Sequence, residues 1–177
     1  MERSHFLLII VIFTVILLTG CTSTSNTSTN TVTPANTLSQ RDQAAKIKMD
    51  SMLIYDLSIS NTIVNSYESG DDASARSNAT ILMGYIDQNL PEMQQLADNA
   101  DIEQPAAREF ILSLVDLRNS MAYLVKSIDY ENAGDYTDAA TALSNATALQ
   151  RSERSHLENM FPRTPTTPVP ATIPPVE

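Results

Sequence analysis

Few residues in this chain have the types and spacing that chemistry requires. Glu153-Arg154-Ser155-His156 sets a carboxylate and an imidazole three positions apart in a stretch with helical apolar spacing. On an α-helix that spacing puts both groups on one face. A di-metal carboxylate centre inside a helical bundle needs two such pairs and two further glutamates. The only other histidine is His5, at the extreme N-terminus, so that centre cannot be built. The expectation is a solvated Glu and His near a helix end. As a general base His156 has no hydroxyl partner that the sequence singles out. Asp129, Glu131 and Asn132 beside Gly134 faintly suggest a calcium loop. Such a loop would need an oxygen ligand where Ala133 stands and an acidic residue near Ala140. Four glycines form no phosphate-binding loop, and Met49, Met52, Met93, Met121 and Met160 read as adaptable core filler. The expectation is therefore no catalytic residue, no metal, no cofactor and no enzyme.

The single cysteine is the exception. Leu18-Thr19-Gly20-Cys21 closes an apolar run from Phe6 that is broken only by Thr14. The run is about 13 residues, whereas a bilayer span needs about 20. Arg3 and His5 precede it as a weak positive flank. This arrangement resembles the lipobox of secreted lipoproteins. The resemblance implies cleavage of residues 1–20, a lipidated Cys21 as mature N-terminus, and attachment to the extracytoplasmic face of a membrane. One acyl chain anchors only marginally, so two are implied. A lipidated Cys21 also leaves no thiol for a disulfide or a metal cluster.

Composition bounds the remainder. The net charge is −10, which repels nucleic-acid phosphate, so no nucleic-acid partner is expected. Arg41, Lys46 and Lys48 form the only loose basic group and read as a solvated helix face. Residues 21–38 are rich in Thr, Ser and Asn and too polar to fold. As a flexible linker they would span roughly 20–25 Å. Residues 39–161 are the folded candidate. Residues 162–177 hold six of the nine prolines among threonines, an extended polyproline-like tail.

The folded zone predicts an all-α, antiparallel four-helix bundle made of two helical hairpins. The third helix is clearest: Ala107, Phe110, Ile111, Leu114, Leu117, Met121, Leu124, Val125 and Ile128 recur at steps of three and four. Ala75, Ala79, Leu82, Ile86, Leu90, Met93, Leu96 and Ala100 mark the second, where Pro91 should kink or break the helix near Leu90. The first carries Met49, Leu53, Leu57, Ser60, Val64 and Tyr67, widened by Met52, Ile54 and Ile63. The fourth carries Ala139, Leu143, Ala146, Leu149, Leu157 and Met160, with alanines that permit a close neighbour. Gly70-Asp71 and Gly134-Asp135 each set a helix-stopping glycine before a capping aspartate. Pro105 suits a first helical turn. Gly84, inside the second helix, marks either a close crossing or a weak spot.

The two halves echo one another. Tyr67-Glu68-Ser69-Gly70-Asp71 parallels Tyr130-Glu131-Asn132-Ala133-Gly134-Asp135, and at an offset of 64 Ile47, Leu53, Leu57 and Val64 match Ile111, Leu117, Met121 and Ile128. Either a duplication or the common demands of amphipathic hairpins explains this. Tyr130, Gly134-Asp135-Tyr136, Ala139, Leu143 and Ala146 resemble the inter-helix turn of the tetratricopeptide repeat, over about 17 residues. Arg151 stands where that repeat has its closing proline, and one copy builds no solenoid, so the resemblance implies local packing and no peptide binding.

Asn26, Asn78 and Asn145 open N-glycosylation sequons, of which Asn26, in the linker, is the most accessible. Sequons, acidity, a Thr/Asn-rich linker and a Pro/Thr tail together resemble the surface lipoproteins of archaea; a bacterial lipoprotein is the alternative. The combined reading is a cell-surface domain tethered to the membrane through lipid on Cys21. It would act as a non-enzymatic interaction or scaffolding module for an unidentified protein partner. The alternative is a sensor or solute-binding bundle that captures a small ligand between its helices.

Overall fold

The computed structural model describes residues 38–160. The signal segment, Cys21, the linker with Asn26, and the Pro/Thr tail lie outside the described residues. Four long helices account for nearly all of the rest: α1 (Gln40–Ser69), α2 (Asp72–Asn99), α3 (Gln104–Asn132) and α4 (Tyr136–Met160). Each packs against the next in sequence, and α1 also touches α3, which gives the antiparallel four-helix bundle. Among the described residues no helix is long and apolar enough to cross a membrane.

The helix ends follow from their sequences. Ser39 caps α1, its hydroxyl accepting from the Asp42 amide at 3.1 Å. Both hairpins then turn on one device. Gly70 has φ 79°, its N–H donates to the Tyr67 carbonyl, and the Asp71 N–H donates to Ser66. Gly134, also at φ 79°, donates to Glu131 while Asp135 donates to Tyr130. This paired closure needs a left-handed residue, which glycine adopts without a Cβ clash. The aspartate that completes each closure caps the following helix: Asp71 accepts from the Ser74 amide and Asp135 from the Asp138 amide, both at 3.1 Å. Two residues thus end one helix and begin its antiparallel neighbour.

The stripe read on α3 is the centre of the core. Ala107, Phe110, Leu114, Leu117, Met121, Leu124 and Ile128 are buried. Met49, Met52, Met93 and Met160 are buried beside them. On the α4 side the packing is close because the facing residues are small. Ala139, Ala142 and Ala146 are buried against Ser120 and Ser127. The Ser120 hydroxyl donates to the Ala146 carbonyl at 3.1 Å and Ser127 to Ala139 at 3.0 Å. These bonds satisfy both buried hydroxyls and fix the register of α3 on α4.

Several expectations fail. Of the kink or break expected at Pro91, the break is not made, and α2 runs on to Asn99. Pro91 and Asp87, whose carbonyl loses its i+4 donor, both face solvent, so water takes the place of the missing N–H. Ile86 and Met93, either side of Pro91, are fully buried and hold the helix together. Ile54, assigned to the core face of α1, is 70% exposed. Nothing lies within 4 Å of a Cβ built on Gly84, so it marks no close crossing. Tyr136 is 70% exposed, and the aromatic packing implied by the tetratricopeptide resemblance is not made at that position. Lys48 is not simply solvated: its ammonium reaches from α1 to Asn89 and Glu92 on α2.

Candidate functional site

Polar side chains converge inside the bundle where α1, α3 and α4 face one another. Asp56 is only 4% exposed. It occupies the same heptad rung of α1 as Asp42, Met49 and Ile63, so the packing that buries those residues buries its carboxylate as well. Its Oδ1 has no hydrogen-bond partner. Removal from water pushes the Asp56 carboxyl up to about 7.

Gln150 enters the same region from α4. It is 6% exposed and its Oε1 likewise lacks a partner. One turn further on is Glu153, half-buried along its side chain but with its carboxyl desolvated. Desolvation, then the nearby charges of Asp56 and Asp116, push Glu153 up to about 8. The same Asp56 charge, after desolvation, helps to raise Tyr85 on α2, whose ring stacks on Tyr55 with centroids 3.9 Å apart. Asp56 therefore lies within electrostatic reach of both Glu153 and Tyr85, and Asp116 within reach of Glu153.

His156 closes the lower side of this layer. Its Nδ1 is 2.8 Å from Glu109 Oε2 and its Nε2 is 3.7 Å from Asp116 Oδ2. The hydrogen bond from His156, opposed by partial desolvation and aided by Asn159, holds the Glu109 carboxyl below its usual range. Both edges of the ring are thus engaged by carboxylates of α3. The layer otherwise presents acceptors: Asp56 Oδ1, Gln150 Oε1 and the Glu153 carboxyl.

The sequence assignment of Glu153 and His156 to a solvated helix end is therefore corrected. Both turn toward α3, because the face of α4 that carries Ala146 and Leu157 also carries them. The signal for Asp56 was present in its spacing of seven from Met49 and from Ile63, and that for Gln150 in its step of four from Ala146. A polar residue type hid both.

Other predicted positions stay apart from this layer. Asn78 is half-buried on α2 and Asn145 is exposed on α4. The hydroxyls of their sequons, on Thr80 and Thr147, donate to helix carbonyls at Arg76 and Leu143. Asp129, from the calcium-like string, pairs with Arg76 at 3.0 Å. That pair borders an open depression of about 480 Å³ lined by Gly70, Asp71, Ile128 and Asn132. Among the described residues no three His, Cys, Asp or Glu side chains converge as a metal site. Large exposed apolar residues (Ile47, Ile54, Ile81, Ile102, Leu112, Tyr136) are dispersed over all four helices and the α2–α3 connection.

No protein-family model matches this chain, and neither the curated proteins nor the solved structures show a significant similarity to it.

Proposed function

We propose that this chain is a non-enzymatic, lipid-tethered binding module on the extracytoplasmic face of the membrane, and that it captures a small solute between α1, α3 and α4. One observation carries the choice of occupant: two acceptors on side chains at least nine-tenths buried, Asp56 Oδ1 and Gln150 Oε1, have no partner within the protein. Burying an unpaired polar group costs roughly 1–3 kcal/mol, so retaining two in one layer points to a ligand that completes them. A protein-docking surface finds less support, because the large exposed apolar residues are single positions divided among four helices and a connection. Binding rather than catalysis is favoured by His156. Its two ring nitrogens face Glu109 and Asp116, which leaves neither one directed at a nucleophile.

The tether rests on the lipobox-like string ending at Cys21 and on the polar linker that follows it. The test is a thermal-shift screen of the full chain against metabolites of differing charge. A ligand that raises Tm, and whose effect disappears in Gln150→Leu, supports capture between the helices. A screen in which no solute shifts Tm, while a protein partner does, would replace this reading with the scaffolding one.

A further inference from the structure

We infer that the layer of Asp56, Gln150 and Glu153 is a site for the primary ammonium group of a small free amine, an inference that rests on solute capture and names its chemistry. The first reason is donor–acceptor balance. The unpartnered buried atoms in the layer, Asp56 Oδ1 and Gln150 Oε1, are oxygens, and once the carboxyl proton is displaced both accept, so the counterpart is a group with several N–H donors. The second is charge. Asp56 and Asp116 lie close enough to Glu153 to disfavour its ionisation, and the His156 ring nitrogens are taken up by Glu109 and Asp116. The third is the stacked pair Tyr55–Tyr85 beside Asp56: the inner ring faces cover one another, and the electron-rich outer faces favour a nearby cation over a neutral solute. Gln150 is an observation separate from the carboxylates. It is buried, uncharged and unpaired on the same face of α4 as Glu153.

Access is consistent with this occupant. The close backbone approaches join α1 to α2, α2 to α3, α3 to α4 and α1 to α3, and α1 and α4 are not among the closely packed pairs. Glu153, on α4, is itself only half-buried. A metal ion fits less well, since no three ligating side chains converge there among the described residues.

Binding should be linked to protons. The groups facing the layer are Tyr55 and Asp56 from α1, Tyr85 from α2, Glu109 and Asp116 from α3, and Glu153 and His156 from α4. Burial, then the Asp56 charge, raises Tyr85 further from the working range, and the His156 ring lies between Glu109 and Asp116. Asp56 and Glu153 are raised to about 7 and about 8. At neutral pH the empty layer therefore holds protons that an incoming cation displaces.

The experiment is isothermal titration of the full chain with methylammonium, 1,4-diaminobutane and tetramethylammonium, in two buffers of different ionisation enthalpy. The two primary amines should bind with proton release, and their affinity should rise at least tenfold between about pH 6 and pH 8.5. Tetramethylammonium, which has the charge but no N–H, should bind at least tenfold more weakly. Glu153→Gln and Gln150→Met should each weaken the amines at least tenfold, with an unchanged far-ultraviolet circular dichroism spectrum showing that the bundle persists. Equal binding of tetramethylammonium, or amine binding insensitive to both substitutions, would overturn the inference. So would tighter binding of Nα-acetyl-lysinamide than of the diamine, which would indicate a protein lysine as the occupant. A neutral or anionic metabolite that raises Tm and loses its effect in Gln150→Leu would overturn the ammonium assignment while solute capture stands. Failure of every solute would overturn both.

Discussion

Asp56→Asn should make the bundle more stable, and the gain should depend on pH. The carboxyl ionises at 3.8 when solvated and at about 7 when folded. Between those values the folded chain keeps a proton that the unfolded chain has lost, so each pH unit of rise removes about 1.4 kcal/mol of stability. The gap of about three units sets a ceiling of about 4 kcal/mol, reached above about pH 7 and absent below about pH 4. Water entering beside the ionised group lowers this, and about 2–4 kcal/mol is the expected range. Asparagine keeps the shape and removes the charge. For a folded zone of about 120 residues, 1 kcal/mol corresponds to roughly 4 °C. The variant should therefore melt about 8–16 °C above the wild type at about pH 8.5 and within a few degrees of it near pH 4.5. Thermal unfolding followed by far-ultraviolet circular dichroism across that range is the assay, with urea unfolding at both extremes to verify an unchanged m-value. The acid limb has the opposite sign. Asp42, Asp71 and Glu109 are held below their usual values, so their contribution is present above about pH 4 and lost as pH falls through their folded values. Maximum stability is thus expected near pH 5. A wild-type Tm that is flat between pH 5 and 8.5, or a variant whose gain is the same at both, would show that Asp56 is not the buried, raised carboxyl described here.

The other predictions concern packing and attachment. Gly84→Ala should stabilise the chain by about 0.5–1 kcal/mol in urea unfolding, since the added Cβ meets open space and the helix gains propensity; a loss of stability would mean the site is occupied. Ser120→Val should destabilise by about 1–3 kcal/mol, because it removes the donor to the Ala146 carbonyl and adds bulk where α3 and α4 are closest; a neutral result would contradict the close register. Cys21→Ser should leave an uncleaved, unlipidated precursor, and intact-mass analysis showing the same mass and membrane retention as the wild type would remove the tether from the proposal.

The helices and their turns were legible from sequence because their causes are local. Three- and four-residue apolar steps and two Gly-Asp pairs act within one or two turns of chain, and the structure places the two hairpin turns where those pairs stand. Whether Pro91 would break its helix was not legible, for the complementary reason. Its effect depends on whether the carbonyl it orphans meets solvent or protein, which its neighbours in the chain do not say. The same holds for Ile54, apolar yet outside, and for Asp56, charged yet inside.

From its sequence alone this protein is an acidic chain of four amphipathic helices with one lipidation-like cysteine string, since composition, periodicity and turn chemistry need no knowledge of what packs where. The polar layer belongs to the tertiary structure. Asp56, Gln150 and Glu153 lie on separate stretches of chain, and only the docking of α1 and α4 around α3 strips their water away together. Removal from water, not residue type, is what turns these three side chains into a candidate site.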